Sequence, residues 1–153
     1  HYFQSGPDAL GLVDHSGFAL QSTESVEQPL EMISVGTQSF RIPAGESAYS
    51  FEGAWESETD RKIYGVFPHM HERGVRYSMQ LPERRRDECV LDGAGYDFSN
   101  QLYYLFRDPI ELKAGEQVDY SCTWDNGDNP EDVFYGERTE EEMCFFFVLA
   151  DAG

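Results

Sequence analysis

The stretch Lys62-Ile63-Tyr64-Gly65-Val66-Phe67-Pro68-His69-Met70-His71 carries the clearest indication of the fold in this 153-residue chain. Its β-branched and aromatic residues favour a β-strand. Pro68 lacks an N–H group and therefore indicates an edge position or a bulge just before the histidines. We expect residues 75–81 to pair with this strand through a turn at residues 72–74.

Short apolar runs separated by turn residues continue on both sides of this stretch. Runs such as 18–20, 30–35 and 49–52 predict strands, and about nine to eleven strands are expected along the chain. The last run, residues 142–149, is apolar on both faces. This pattern predicts one domain over residues 1–153, an all-β, antiparallel, jelly-roll-like sandwich.

The net charge of −18, from 29 acidic and 11 basic residues, restricts the possible partners. Nucleic acid is disfavoured, because its phosphates require Lys and Arg. Dispersed acidic residues, with short runs such as residues 140–142, indicate a solvated acidic surface. Neither a membrane span nor a signal peptide is visible in the sequence.

Three cysteines are most simply explained by one disulfide and one buried thiol. If the strands that contain Cys122 and Cys144 are neighbours, a bridge would close the acidic loop between them. A disulfide suits a secreted or periplasmic protein.

Two residue patterns suggest a metal site. Residues two apart in a strand face the same way, so His69 and His71 can converge while Met70 faces the opposite side. Neutral imidazoles suit copper or zinc, although two histidines this close are often incidental. The same period places Met143 with Phe145 and Phe147, where it is either a soft ligand for Cu(I) or core filler.

Other chemistries lack their motifs. The sequence contains no G-x-S-x-G, no P-loop, no dinucleotide-binding glycine pattern and no C-x-x-C.

Taken together, seven stretches resemble the copper type II, ascorbate-dependent monooxygenases, most closely their bacterial members. They are residues 14–17, 42–45, 64–71, 96–98 before Gln101, 112–116, 122–126 and 139–144. The resemblance covers the C-terminal catalytic domain of that family, and the order and spacing of the stretches match.

The resemblance implies one copper ion per chain, held by His69, His71 and Met143, and a disulfide between Cys122 and Cys144. Cys89 would then remain as a small buried residue. The implied activity is hydroxylation of a substrate C–H bond with O2, with ascorbate as a reductant. The alternative is an isolated copper-binding module that is silent or uncoupled, or a purely structural domain.

Two features depart from the family. Its N-terminal copper domain is not found in this sequence, although His1-Tyr2 resembles the His-Tyr segment that supplies a ligand to that domain's copper. The resemblance favours a native N-terminus over a remnant of an expression tag. A native His1 could bind copper through its amine and imidazole.

The second departure concerns the substrate pocket. Phe67, Phe145 and Phe147 stand where peptide-processing members carry polar residues that hold a carboxylate. An apolar or aromatic substrate is therefore expected, unless the three rings simply pack the interior of the sandwich.

Overall fold

A computed structural model describes residues 11, 13, 15–84 and 88–152 of the chain. Within these ranges the chain forms strands and no helix, which confirms the all-β prediction. The ten strands are β1 (Leu30–Thr37), β2 (Arg41–Ile42), β3 (Tyr49–Glu56), β4 (Arg61–His69), β5 (Gly74–Leu81), β6 (Glu88–Ala94), β7 (Tyr104–Leu112), β8 (Gln117–Trp124), β9 (Val133–Phe134) and β10 (Cys144–Asp151).

Two four-stranded sheets form the sandwich. The first has the order β1-β10-β4-β7 and the second the order β3-β8-β5-β6, while β2 and β9 make a separate short ribbon. All pairings between these strands are antiparallel. The chain crosses repeatedly from one sheet to the other, which gives the expected jelly-roll-like sandwich.

Alternating burial along the strands defines the core. In β8 every second residue is buried, and β10 shows the same alternation. Trp124 and Phe146 are the largest fully buried side chains, and they come from opposite sheets. Full burial of a side chain of this kind contributes about 1.5–3 kcal/mol to the stability of the fold. Strands β8 and β10, which carry these two side chains, therefore supply much of the core.

Two expectations about strands are wrong. Residues 75–81 do form β5, but β5 pairs with β6 and β8, whereas β4 pairs with β10 and β7. The turn at residues 72–74 therefore links the two sheets, and the fully buried Met70 lies just before it. No strand includes Phe18 and Leu20, whose side chains are exposed.

Among the strands of the described residues, Pro68 has one neighbour. It is paired with Phe146 of β10, but the pairing of β7 with β4 reaches only as far as Val66. Although β4 is an inner strand of the sheet, it is therefore an edge at its last residues. The expected edge position of Pro68 is explained by the start of β7 at Tyr104, which lies opposite Val66.

The turn before β8 contains a carboxylate that stabilises it. Glu116 accepts the N–H of Lys113 at 3.0 Å and the Nε–H of Arg84 at 2.6 Å. Its bond with Arg84, followed by the bond from the Lys113 main chain, lowers the pKa of Glu116 despite partial burial. Gly115 provides the positive φ of 84° that the turn requires.

We expect Glu116→Gln to destabilise the fold by about 1 kcal/mol at pH 7, because it removes charge-assisted hydrogen bonds. A carboxyl with a lowered folded-state pKa stabilises the fold above its unfolded pKa and loses that contribution as the pH falls through the folded value. The difference from the unchanged protein should therefore shrink from pH 7 to pH 3. Urea unfolding at both pH values measures it, and a constant difference would contradict the prediction.

Candidate metal centre

His69 and His71 lie side by side at the end of β4. His69 is the last residue of the strand, and the two ring centroids are 5.4 Å apart with the planes at 83°. Since an imidazole nitrogen binds a metal at about 2 Å, both rings can reach one ion. Met70 between them is fully buried in the core, so the alternation expected from the sequence is present.

Hydrogen bonds fix the orientation of both rings. His69 Nδ1 lies 2.8 Å from Gln101 Oε1, and His71 Nδ1 lies 2.9 Å from the main-chain oxygen of Glu141. The Gln101 amide is itself oriented, because its Nε2 donates to Phe98 O at 3.0 Å. Both partner oxygens only accept, so each Nδ1 carries the hydrogen and each Nε2 keeps its lone pair for a metal.

The local environment also favours the neutral form of His69. Burial lowers the pKa of His69 most strongly and the neighbouring His71 lowers it further, while the bond with Gln101 acts in the opposite direction. A neutral imidazole is the form that binds metals. His69 is therefore ready to bind without first losing a proton near neutral pH.

Met143 lies next to the histidines in a shared cleft. It precedes β10 directly, and together with His69 and His71 it lines a cleft of about 870 Å³. The remaining lining residues are Phe98, Ser99, Gln101 and residues 137–140. Three side chains that could bind a soft metal thus face one space.

The donor set restricts the metal. Within the described parts of the chain, no three His, Cys, Asp or Glu side chains come close enough to hold an ion. Met143 lines the same cleft as the histidine pair, and its thioether is therefore a candidate third donor. Hard cations such as Mg²⁺ and Ca²⁺ prefer oxygen, whereas imidazole with a thioether suits Cu(I), so the residues present fit copper.

Tyr96 holds the residue between the two histidines. Its hydroxyl accepts the N–H of Met70 at 3.0 Å and donates to the Met70 carbonyl at 2.6 Å. Burial raises the pKa of Tyr96 to about 12, so the hydroxyl keeps its proton at neutral pH. The main chain of the His-x-His segment is therefore fixed, in addition to its two imidazole rings.

Glu142 was not recognised as a site residue from the sequence. It belongs to the acidic run 140–142, which we expected on the solvated surface, yet its side chain is fully buried beside Met143. Burial raises the pKa of Glu142, and main-chain N–H groups of His71, Arg73 and Met143 partly offset that effect. One signal in the sequence is that Glu142 is the only charged residue in the apolar run 142–149.

The three phenylalanines lie on the outer face of the first sheet. Phe67 and Phe147 lie 6.2 Å and 6.0 Å from His69 between ring centroids, and Phe145 stacks on Phe147 at 6.3 Å. All three are half-buried and lie outside the core cluster. The alternative that they pack the interior of the sandwich is wrong, because β10 directs Cys144 and Phe146 inward instead.

A disulfide joins the two sheets at this end of the sandwich. It links Cys122 of β8 to Cys144 of β10 with 5.9 Å between the Cα atoms, directly beside Met143.

Cys89 is exposed, so the expectation of a buried thiol is wrong. It lies in β6, an edge strand of the second sheet, where alternate residues face outward. His1 lies outside the described residues.

Comparison with known proteins adds two findings. The family model described as copper type II ascorbate-dependent monooxygenase, C-terminal domain, matches residues 28–150. A human protein named "Putative DBH-like monooxygenase protein 2" is 23% identical over 154 residues, which cover 91% of this chain and 31% of that protein. The chain thus spans about a third of that relative. The bacterial resemblance and the single domain over residues 1–153 stay predictions.

Proposed function

Because the chain belongs to the copper type II ascorbate-dependent monooxygenase family, we propose that His69, His71 and Met143 bind one copper ion for hydroxylation of a substrate. The observation that carries this proposal is the pair of Nδ1 hydrogen bonds, which leave both Nε2 atoms free beside Met143. A bound copper would supply the one-electron chemistry that activates O2 for insertion of an oxygen atom into a C–H bond.

The residues of the chain would bind and orient the reactants. Gln101 and the Glu141 carbonyl keep the imidazoles in position, and Tyr96 keeps their main chain rigid. Such partners of metal ligands typically change metal affinity 10–100-fold when removed. Ascorbate is the proposed reductant, since the family depends on it.

The substrate is proposed to be apolar or aromatic. Phe67 and Phe147 adjoin His69, and Tyr103 stacks on Phe67 at 5.2 Å between centroids. Aromatic faces of this kind bind apolar groups and other rings. Arg138, the cation that lines the cleft, is paired with Glu141. The rings beside His69 therefore favour an apolar group over the carboxylate at the end of a peptide.

A second candidate is a copper-binding module without activity of its own. It is favoured by the length comparison, because the chain covers only 31% of its human relative and the rest of that protein could contribute to turnover. In this case an N-terminal copper domain would be a necessary partner for coupled catalysis.

One experiment separates the two candidates. Copper stoichiometry is measured first, and oxygen uptake is then followed with ascorbate, with and without apolar or aromatic substrates. Uptake coupled to hydroxylated product supports the enzyme. Tight Cu(I) binding without uptake supports the module, and no copper binding refutes both.

Met143→Ala is expected to weaken Cu(I) about tenfold and Cu(II) much less, because a thioether is a soft ligand. Competition with chromophoric chelators for each oxidation state measures both affinities. Met32→Ala is the control, since Met32 is exposed on β1. Equal weakening of both oxidation states would count against Met143 as a ligand.

We also propose a secreted or periplasmic location. The disulfide between Cys122 and Cys144 favours an oxidising compartment. No helix among the described residues is long and apolar enough to cross a membrane.

A further inference from the structure

We propose that Glu142 is a positioning residue that holds the main-chain segments of Met143 and His71 together at the metal site, an inference that rests on the copper site proposed above. Its carboxylate is fully buried. Burying a carboxylate costs free energy. If residue 142 only filled the core, an apolar side chain would stabilise the fold equally well.

Both carboxylate oxygens accept hydrogen bonds from the segments that carry the ligands. Oε2 accepts the main-chain N–H of His71 at 2.8 Å and that of Met143 at 3.2 Å. Oε1 accepts the main-chain N–H of Arg73 at 2.7 Å. One side chain therefore connects the turn after β4 to the residue before β10.

The same carboxylate is anchored to the second sheet. Oε2 also accepts the indole N–H of Trp124 at 3.0 Å, and Trp124 lies two residues after the disulfide-bonded Cys122. Bonds to charged acceptors are roughly twice as strong as neutral ones. The connection between the ligand segments is therefore held against a rigid part of the core.

The main chain of Glu142 is fixed on its other side. Its N–H donates to the Phe134 carbonyl at 3.0 Å, and its carbonyl accepts the N–H of Gly136 at 3.2 Å. The carboxylate thus projects from a main chain that β9 and the residues after it hold in place. A shift of Glu142 would move Met143 relative to the histidine pair.

Glu142→Gln tests this role. The glutamine oxygen can replace Oε2, but its NH2 group then faces the N–H of Arg73, donor against donor. We expect Cu(I) affinity to fall about tenfold in the otherwise unchanged chain. In a Met143→Ala background the same change should cost less than in the otherwise unchanged chain, because only the positioning of His71 is left to be lost and coupled residues are not additive.

Glu142→Gln, Met143→Ala and the variant with both changes form a double-mutant cycle, and its outcomes decide the proposal. An equal loss of Cu(I) affinity in both backgrounds would indicate a general structural effect and overturn it, as would no loss in either. Where the glutamine variant does not fold, Glu142→Asp serves the same cycle, since the shorter carboxylate cannot span all four donors. Unchanged Cu(I) affinity in that variant also overturns the proposal.

A measurement without metal separates this inference from the proposed function. In the metal-free protein, amide hydrogen exchange at His71 and Arg73 should quicken about tenfold in Glu142→Gln and stay unchanged in the control Glu52→Gln, since Glu52 is exposed on β3. Unchanged exchange refutes the positioning role. If the unchanged chain binds no Cu(I), the proposed function fails, whereas tight Cu(I) binding by both Glu142 variants defeats only the role of Glu142.

Discussion

Replacing His71 by alanine is expected to lower Cu(I) affinity by more than about a hundredfold, since loss of an orienting partner alone costs 10–100-fold. The imidazole would disappear as a ligand, while the main-chain N–H of residue 71 could still donate to Glu142. The metal-free variant should therefore fold. Chelator competition measures the affinity, and thermal unfolding without copper checks the fold.

His15→Ala is the matched control for this experiment. His15 is exposed and precedes the first strand, so its removal should leave Cu(I) affinity within twofold or so, as for surface changes generally. Retention of tight Cu(I) binding by His71→Ala would remove His71 from the site. A loss of affinity in the His15 variant as large as that in the His71 variant would show that the assay does not report on this cleft.

The second large effect is expected on removal of the disulfide. Cys122 and Cys144 are 22 residues apart in sequence, and closing a loop of this size stabilises a fold by about 3 kcal/mol. The double change Cys122→Ala and Cys144→Ala should lower the free energy of unfolding by about that amount. It should also weaken Cu(I) binding, because Met143 directly precedes Cys144.

Urea unfolding of the double variant measures this loss of stability. Cys89→Ala is the control, because Cys89 is a free and exposed thiol whose removal should change the unfolding midpoint little. An excess of reducing agent should lower the stability of the unchanged protein to that of the double variant. An unchanged midpoint in the double variant would contradict the prediction.

The repeat of apolar residues along the strands was sufficient to predict the fold class. A period of two in residues 142–149 places Phe146 on one face and Phe145 and Phe147 on the other, but only the structure shows that Phe146 is on the buried face. The same period placed His69 and His71 on one side and Met70 on the other. These features depend on local geometry, so they follow from neighbouring residues alone.

Features that depend on contacts distant in sequence were not predictable. Glu142 stands in an acidic run, and only the donors from residues 71, 73 and 124 make its burial favourable. Gln101 orients His69 across a separation of 32 residues. Whether β5 pairs with β4 or crosses to the other sheet depends on pairings between strands distant in sequence, such as that of β5 with β8.

Local geometry also could not select the metal. Two imidazoles on one strand suit copper or zinc equally, and Met143 has the appearance of core filler until its place in the cleft is known. The family resemblance favoured copper at the sequence level. The match of the family model over residues 28–150 supports copper independently of the geometry.

The single neighbour of Pro68 has a consequence for self-association. Beyond Val66, β4 has no partner strand on the side of β7 among the described residues, and unpaired strand edges are templates on which other chains can add a strand. Proline in a sheet is tolerated where its missing N–H is not required. The nitrogen of Pro68 is therefore expected to face the side of β4 that has no partner strand. This end of β4 therefore lacks a donor at Pro68, which is also buried, and both features protect it from intermolecular β-pairing.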